Sequence, residues 1–191
     1  ETHHAVLDTS MASSSFAAEP NQDTIFLTPG SSIVSRTSSE DLGPNIQVVA
    51  DRLRFLGSPP PYISEETLGL RVNILAGTGG SGDAGNITLQ TTGEIELIDL
   101  VRIESTAGFT SHATSPFSPV LAKGNAGNLI LESARGNIRM TQFVTWATSQ
   151  TGNSSGKTGT VTALAPEGDL ILDGAALFTF ASPQSSGGGH V

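Results

Sequence analysis

Gly85-Asn86-Ile87-Thr88-Leu89, followed after a polar turn by Ile95-Glu96-Leu97, decides the fold. In both runs apolar and polar residues alternate with period two. That is the spacing of a strand with one buried face, not of a helix. Gly, Asn and Thr bound the runs, as turns between short strands require.

The pair is a repeat. Its first half recurs as Gly127-Asn128-Leu129-Ile130-Leu131 and Gly159-Thr160-Val161-Thr162-Ala163, more weakly as Pro44-Asn45-Ile46-Gln47-Val48, and most weakly as Ser15-Phe16-Ala17. Its second half recurs as Ile25-Phe26-Leu27, Leu53-Arg54-Phe55, Ile138-Arg139-Met140 and Leu170-Ile171-Leu172. A third short apolar run follows each, centred on Ile33, Ile63, Ile103, Trp146 and Phe178. The halves keep step: Ile46 to Ile87 is 41 residues and Leu53 to Ile95 is 42, while Leu129 to Val161 and Ile138 to Leu170 are both 32. Chance similarity does not hold two motifs in phase. The core period is about 28–32 residues, with insertions expected at 68–82 and 108–123. The first insertion carries an alternating run of its own, Leu70-Arg71-Val72-Asn73-Ile74; the second is loop-like, with Pro116 and Pro119.

Three short strands per unit, repeated in phase, predict an all-β parallel β-helix (β-solenoid) of about five coils. The coils start near residues 16, 45, 86, 128 and 160 and form one unit over 1–191. One coil cannot bury its own apolar face, so stacking makes the core. Stacking places Ile25, Leu53, Ile95, Ile138 and Leu170 in one inward ladder, and Leu27, Phe55, Leu97, Met140 and Leu172 in a second. Phe26, Arg54, Glu96, Arg139 and Ile171 then point outward, with Arg54, Glu96 and Arg139 alternating in sign. Asn86 and Asn128 fall at equivalent corners, where an amide ladder satisfies turn backbone. The Gly before each is expected to adopt a conformation closed to other residues. An antiparallel sandwich also uses short alternating strands, but gives no reason for two motifs to repeat in phase.

Composition narrows the function. Nine basic residues stand against eighteen acidic ones, a net charge of −9, with 22 Gly and no Cys. No basic stripe meets a phosphate backbone, so nucleic-acid binding is not expected. No apolar stretch approaches the ~20 residues of a membrane span, so neither is membrane insertion. Without Cys there is no disulfide scaffold and no thiolate metal site. The chain opens on Glu1 without an initiator Met, and Gly187-Gly188-Gly189-His190-Val191 reads as the opening of a further copy of the motif. A segment of a longer repetitive protein is therefore expected, with ends that look uncapped and favour end-to-end or lateral self-association.

The pattern Gly-x-Ala-Gly-Asn-Ile/Leu-x-Leu stands at Gly82 to Leu89 and again at Gly124 to Leu131. With Leu170-Ile171-Leu172-Asp173-Gly174-Ala175 and Ile103-Glu104-Ser105-Thr106, it resembles the repeats of filamentous-haemagglutinin-like large exoproteins, most closely those of filamentous cyanobacteria. The resemblance covers about Asp23 to Val191. It implies a right-handed β-helical shaft of a bacterial adhesin, carried to the cell surface by two-partner secretion. The secretion domain of that family carries Asn-Pro-Asn-Gly-type motifs, and Gly43-Pro44-Asn45-Ile46 does not match them. The segment thus looks like shaft rather than secretion signal, a structural and non-enzymatic role that needs no cofactor. Its expected partners are further copies, neighbouring fibre proteins or surface glycans. A carbohydrate-binding or carbohydrate-cleaving β-helix is the alternative.

Candidate sites are few. Gly79-Gly80-Ser81-Gly82-Asp83 is similar to a calcium-binding nonapeptide, but its Asp comes one residue early and it has no tandem copy. Glu94, Glu96 and Asp99 share one coil, yet the stacked equivalents of Glu94 and Glu96, Asn137 and Arg139 and then Asp169 and Ile171, do not make a three-coil acidic cleft of the kind a glycosidase needs, and Asp169 reads as a turn residue. His3, His4, His112 and His190 are too scattered for a metal site. Exposed residues of the insertions are better contact candidates: Phe109, His112 and Phe117 in 108–123, and Tyr62 after the stiff Pro59-Pro60-Pro61 run. The bland reading is that Phe109 and Phe117 fold back on the shaft and that Tyr62 ends an extended turn.

Overall fold

A computed structural model describes residues 4–7, 14–17, 24–37, 42–57, 71–108, 123–151, 154–181, 183 and 185–191. Among these residues there is no helix, and every strand pair is parallel. The fourteen strands are β1 (His4–Leu7), β2 (Ser14–Ala17), β3 (Thr24–Leu27), β4 (Ser32–Thr37), β5 (Ile46–Ala50), β6 (Arg52–Leu56) and β7 (Val72–Thr78), then β8 (Ile87–Thr91), β9 (Ile95–Ile98), β10 (Val101–Ala107), β11 (Leu129–Ser133), β12 (Ile138–Thr151), β13 (Val161–Leu164) and β14 (Leu170–Phe180). The antiparallel alternative is excluded.

From β1 to β9 each strand pairs with the one three places along the chain. First strands of successive units form a five-stranded sheet, β13-β11-β8-β5-β2. Second and third strands form two further columns, β3-β6-β9 and β1-β4-β7-β10. These become one nine-stranded sheet because β12 fuses both strand types. Its start, Ile138–Thr141, lies against β9, and Trp146–Thr151 lies against β10. This connectivity is compatible with a β-helix.

The register agrees with the sequence spacing. Ile46, Ile87, Leu129 and Val161 are Cα partners in turn. So are Ile25, Leu53, Ile95, Ile138 and Leu170, and Leu27, Phe55, Leu97, Met140 and Leu172. Leu53, Phe55, Ile95, Leu97, Ile138 and Met140 are buried, whereas Leu170 and Leu172 are 45% and 43% exposed. The last two lie on β14, which has a strand, β12, on one side only.

Three expectations need correction. Ile103 pairs with Ile74 and Ala147, and Ala147 pairs with Leu177. Trp146 and Phe178 are therefore each one residue off the inward column. The cause is a register shift between Thr141 and Thr145, where the second strand runs into the third. Ile63 lies outside the described residues, and the third strand of its unit is β7, paired to β4 and β10. The alternating run near 70–74 is thus not an insertion with a strand of its own; it leads into a regular member of the stack. The extra length of this unit lies before β7, at 58–70, outside the described residues. Finally, Gly85 and Gly127 do not have positive φ. They are glycine because units approach closely there: a Cβ on Gly85 would stand 2.0 Å from the Pro44 carbonyl oxygen, and one on Gly127 2.2 Å from that of Gly85.

One strand was not anticipated. β1 pairs with β4, setting Ala5 beside Ile33 and Val6 beside Val34.

Candidate functional site

The four contact candidates, Tyr62, Phe109, His112 and Phe117, all lie outside the described residues, as does nearly all of 108–123. The described surface is organised by its corners.

At the corner before the first strand, side chains cap the backbone of the next unit. Asn45 Oδ1 accepts the Asn86 N–H at 2.8 Å, Asn86 Oδ1 accepts the Asn128 N–H at 2.8 Å, and Asn128 Oδ1 accepts the Thr160 N–H at 2.9 Å. A parallel ladder runs from Asp83 to Asn125 to the Lys157 N–H. Asp83 Oδ1 takes both the backbone and side-chain N–H of Asn125, at 2.7 and 2.9 Å. That carboxylate is committed to the corner, and among the described residues no group of three or more His, Asp or Glu is placed to hold a metal ion. The column continues past Thr160, since the Val161 N–H donates to the His190 carbonyl at 2.9 Å.

Inside the corners, buried serines take the remaining backbone groups. Ser105 Oγ donates to the Gly85 carbonyl at 2.9 Å and accepts the Gly127 N–H at 2.8 Å. Ser35 donates to the Pro44 carbonyl and Ser154 to the Gly124 carbonyl. Buried polar groups in a narrow core are tolerated when bonded in this way.

The acidic trio is dispersed in role. Glu96 pairs with Arg54 at 3.2 Å. Asp99 has φ 51° and is followed by Leu100 at φ 39°, a left-handed turn made by two non-glycine residues. Burial pushes the Asp99 carboxyl above its ordinary pKa. On β10, Glu104 is 2% exposed and accepts from Arg102 Nε at 2.6 Å and from Thr106 Oγ1. Arg71 is lowered in pKa by burial and by Arg102.

A different corner, between first and second strands, forms a groove of about 300 Å³ lined by Asp51, Arg52, Thr92, Gly93 and Arg135. Its floor is backbone bonded between units: the Gly93 N–H donates to the Asp51 carbonyl at 2.7 Å, and the Arg135 N–H to that of Thr92 at 3.0 Å. Thr92 Oγ1 donates to Asp51 Oδ1 at 2.9 Å. Gly93 allows the close approach of units here, because a Cβ would stand 2.9 Å from the Asp51 carbonyl oxygen and 3.3 Å from Arg52 Cγ. Sequence reading did not single out this set. The available signal was two arginines after first strands in a chain with only nine basic residues. Comparison of the chain with protein-family models, with curated proteins and with solved structures finds no match.

Proposed function

We propose that this chain is a shaft segment of a secreted bacterial surface exoprotein, folded as a right-handed parallel β-helix of about five coils. Its work is mechanical: a stiff stack spaces adhesive elements from the cell or associates laterally into a fibre. The observation that carries this reading is the unbroken parallel register Ile46–Ile87–Leu129–Val161 beside Leu53–Ile95–Ile138–Leu170. The columns are parallel strands bonded from unit to unit, and from Asn45 onward the corner ladders add side-chain bonds between units, so load along the stack is shared by many parallel hydrogen bonds. The parallel register is kept on both sides of the one irregularity within a strand, between Thr141 and Thr145 of β12. Antibody against the segment, applied to intact cells of the source bacterium, tests the location. Label on unpermeabilised cells, on structures that electron microscopy resolves as thin rods, is the expected result. Label seen only after permeabilisation overturns it.

A further inference from the structure

The geometry points to the Asp51–Arg52–Thr92–Gly93–Arg135 groove as a binding site for a sugar acid, a hydroxyl-rich ring bearing a carboxylate. The inference stands whether or not the segment is a shaft. Arg52 and Arg135 belong to units on either side of the one that carries Thr92 and Gly93, so their backbones are two strand spacings apart, about 10 Å. An anionic group seated over Gly93 is thereby within reach of both guanidinium forks, which match the planar oxygens of a carboxylate.

Elsewhere the described arginines with a close carboxylate use it: Arg54 on Glu96 and Arg102 on Glu104. Arg52 and Arg135 line the groove with no ion pair within 4 Å among the described residues, although Glu94 flanks Arg52 one unit on. In a chain of net charge −9, the groove sets two guanidinium groups beside the Asp51 carboxylate, so it offers both cationic and anionic recognition groups.

The groove is not built for a bare anion. Asp51 contributes a second kind of group, a carboxylate whose Oδ1 is held by Thr92 while Oδ2 has no partner among the described residues. A free inorganic anion would be repelled by Asp51. A ligand that carries hydroxyl donors beside its own carboxylate satisfies both halves: the hydroxyls donate to Asp51, and the carboxylate accepts from the arginines. The floor at Gly93 is backbone held by hydrogen bonds between units. At about 300 Å³ the groove is at the small end of ligand sites.

The test is calorimetric or NMR titration of the 191-residue chain with galacturonic acid, its trimer, the methyl-esterified trimer and inorganic sulfate. The acid forms are expected to bind, the ester to bind at least roughly tenfold more weakly, and added salt to weaken the acids. R52Q and R135Q are each expected to weaken binding roughly tenfold, while K157Q, at another corner, leaves it unchanged. Tighter binding of the trimer than of the monomer identifies the source as a polymer; equal binding identifies a free sugar acid. The proposal is overturned if the ester binds as well as the acid, if sulfate binds as tightly as the sugar acids, if neither arginine variant changes the affinity, or if no acid binds.

Discussion

Arg54 Nε stands 3.2 Å from a Glu96 carboxylate oxygen although 42 residues separate them, because Leu53 and Ile95 are register partners and carry the pair outward side by side. The next member of that column, Arg139, is in register with Glu96 yet makes no ion pair with it among the described residues. Half-exposed pairs of this kind contribute little, and the column is held by what lies on its other face.

Leu97→Ala is therefore expected to cost roughly 2–5 kcal/mol, since Leu97 is fully buried between Phe55 and Met140 and its removal leaves a cavity in a continuous ladder. Glu96→Ala is expected to cost less than about 1 kcal/mol. Urea melts of the two variants check the assignment of faces; equal losses would contradict it.

Gly127→Ala should be far worse than a surface glycine change. Its Cβ would meet the Gly85 carbonyl carbon and oxygen, backbone atoms that cannot swing away as a side chain can. A loss of about 3 kcal/mol is expected for such overpacking, near the upper end of its usual range. At Gly188 nothing lies within 4 Å of the added Cβ, so Gly188→Ala is expected to change stability by less than about 0.5 kcal/mol. Thermal melts of the pair separate close approach of units from a general intolerance of glycine replacement.

Asn128→Ala removes the acceptor for both the Thr160 N–H and the Thr160 hydroxyl. A loss of about 1–2 kcal/mol is expected. Asn128→Asp keeps an oxygen at the same place and should recover most of it, as Asp83 already does the same work in the neighbouring ladder. Hydrogen exchange at the Thr160 amide is the direct readout: faster in the alanine variant, protected in the aspartate one.

These residues also show what could be read without coordinates. Ladder members such as Ile95 and Leu97 were legible because a period-two pattern fixes a face, and offsets that match between the two motifs, 41 to 43 residues or 32, fix the partner. The third column was harder. At Asp99-Leu100 the chain turns through two left-handed residues, but in β12 it runs straight on through an irregularity, so counting residues from the second strand misplaces Trp146 by one. β1 escaped notice because four residues carry too little pattern. The groove was illegible for another reason: Asp51, Thr92 and Arg135 come from three units and meet only through stacking.

Asp99 gives the pH prediction. Its folded pKa is raised by burial above the ordinary carboxylate value, so between the unfolded and folded pKa the native state holds more protons than the unfolded chain. Stability then falls as pH rises through that window and stays lower above it. Asp99→Asn removes the ionisation while keeping a residue type that tolerates the left-handed conformation seen at φ 51°. The variant is expected to melt higher than the parent at pH 7, and the difference should shrink as the pH is brought toward about 3, below the pKa of the carboxyl in either state. Melting curves of parent and variant from pH 3 to pH 8 measure it. A constant difference across that range would assign the effect to backbone conformation rather than to the buried charge.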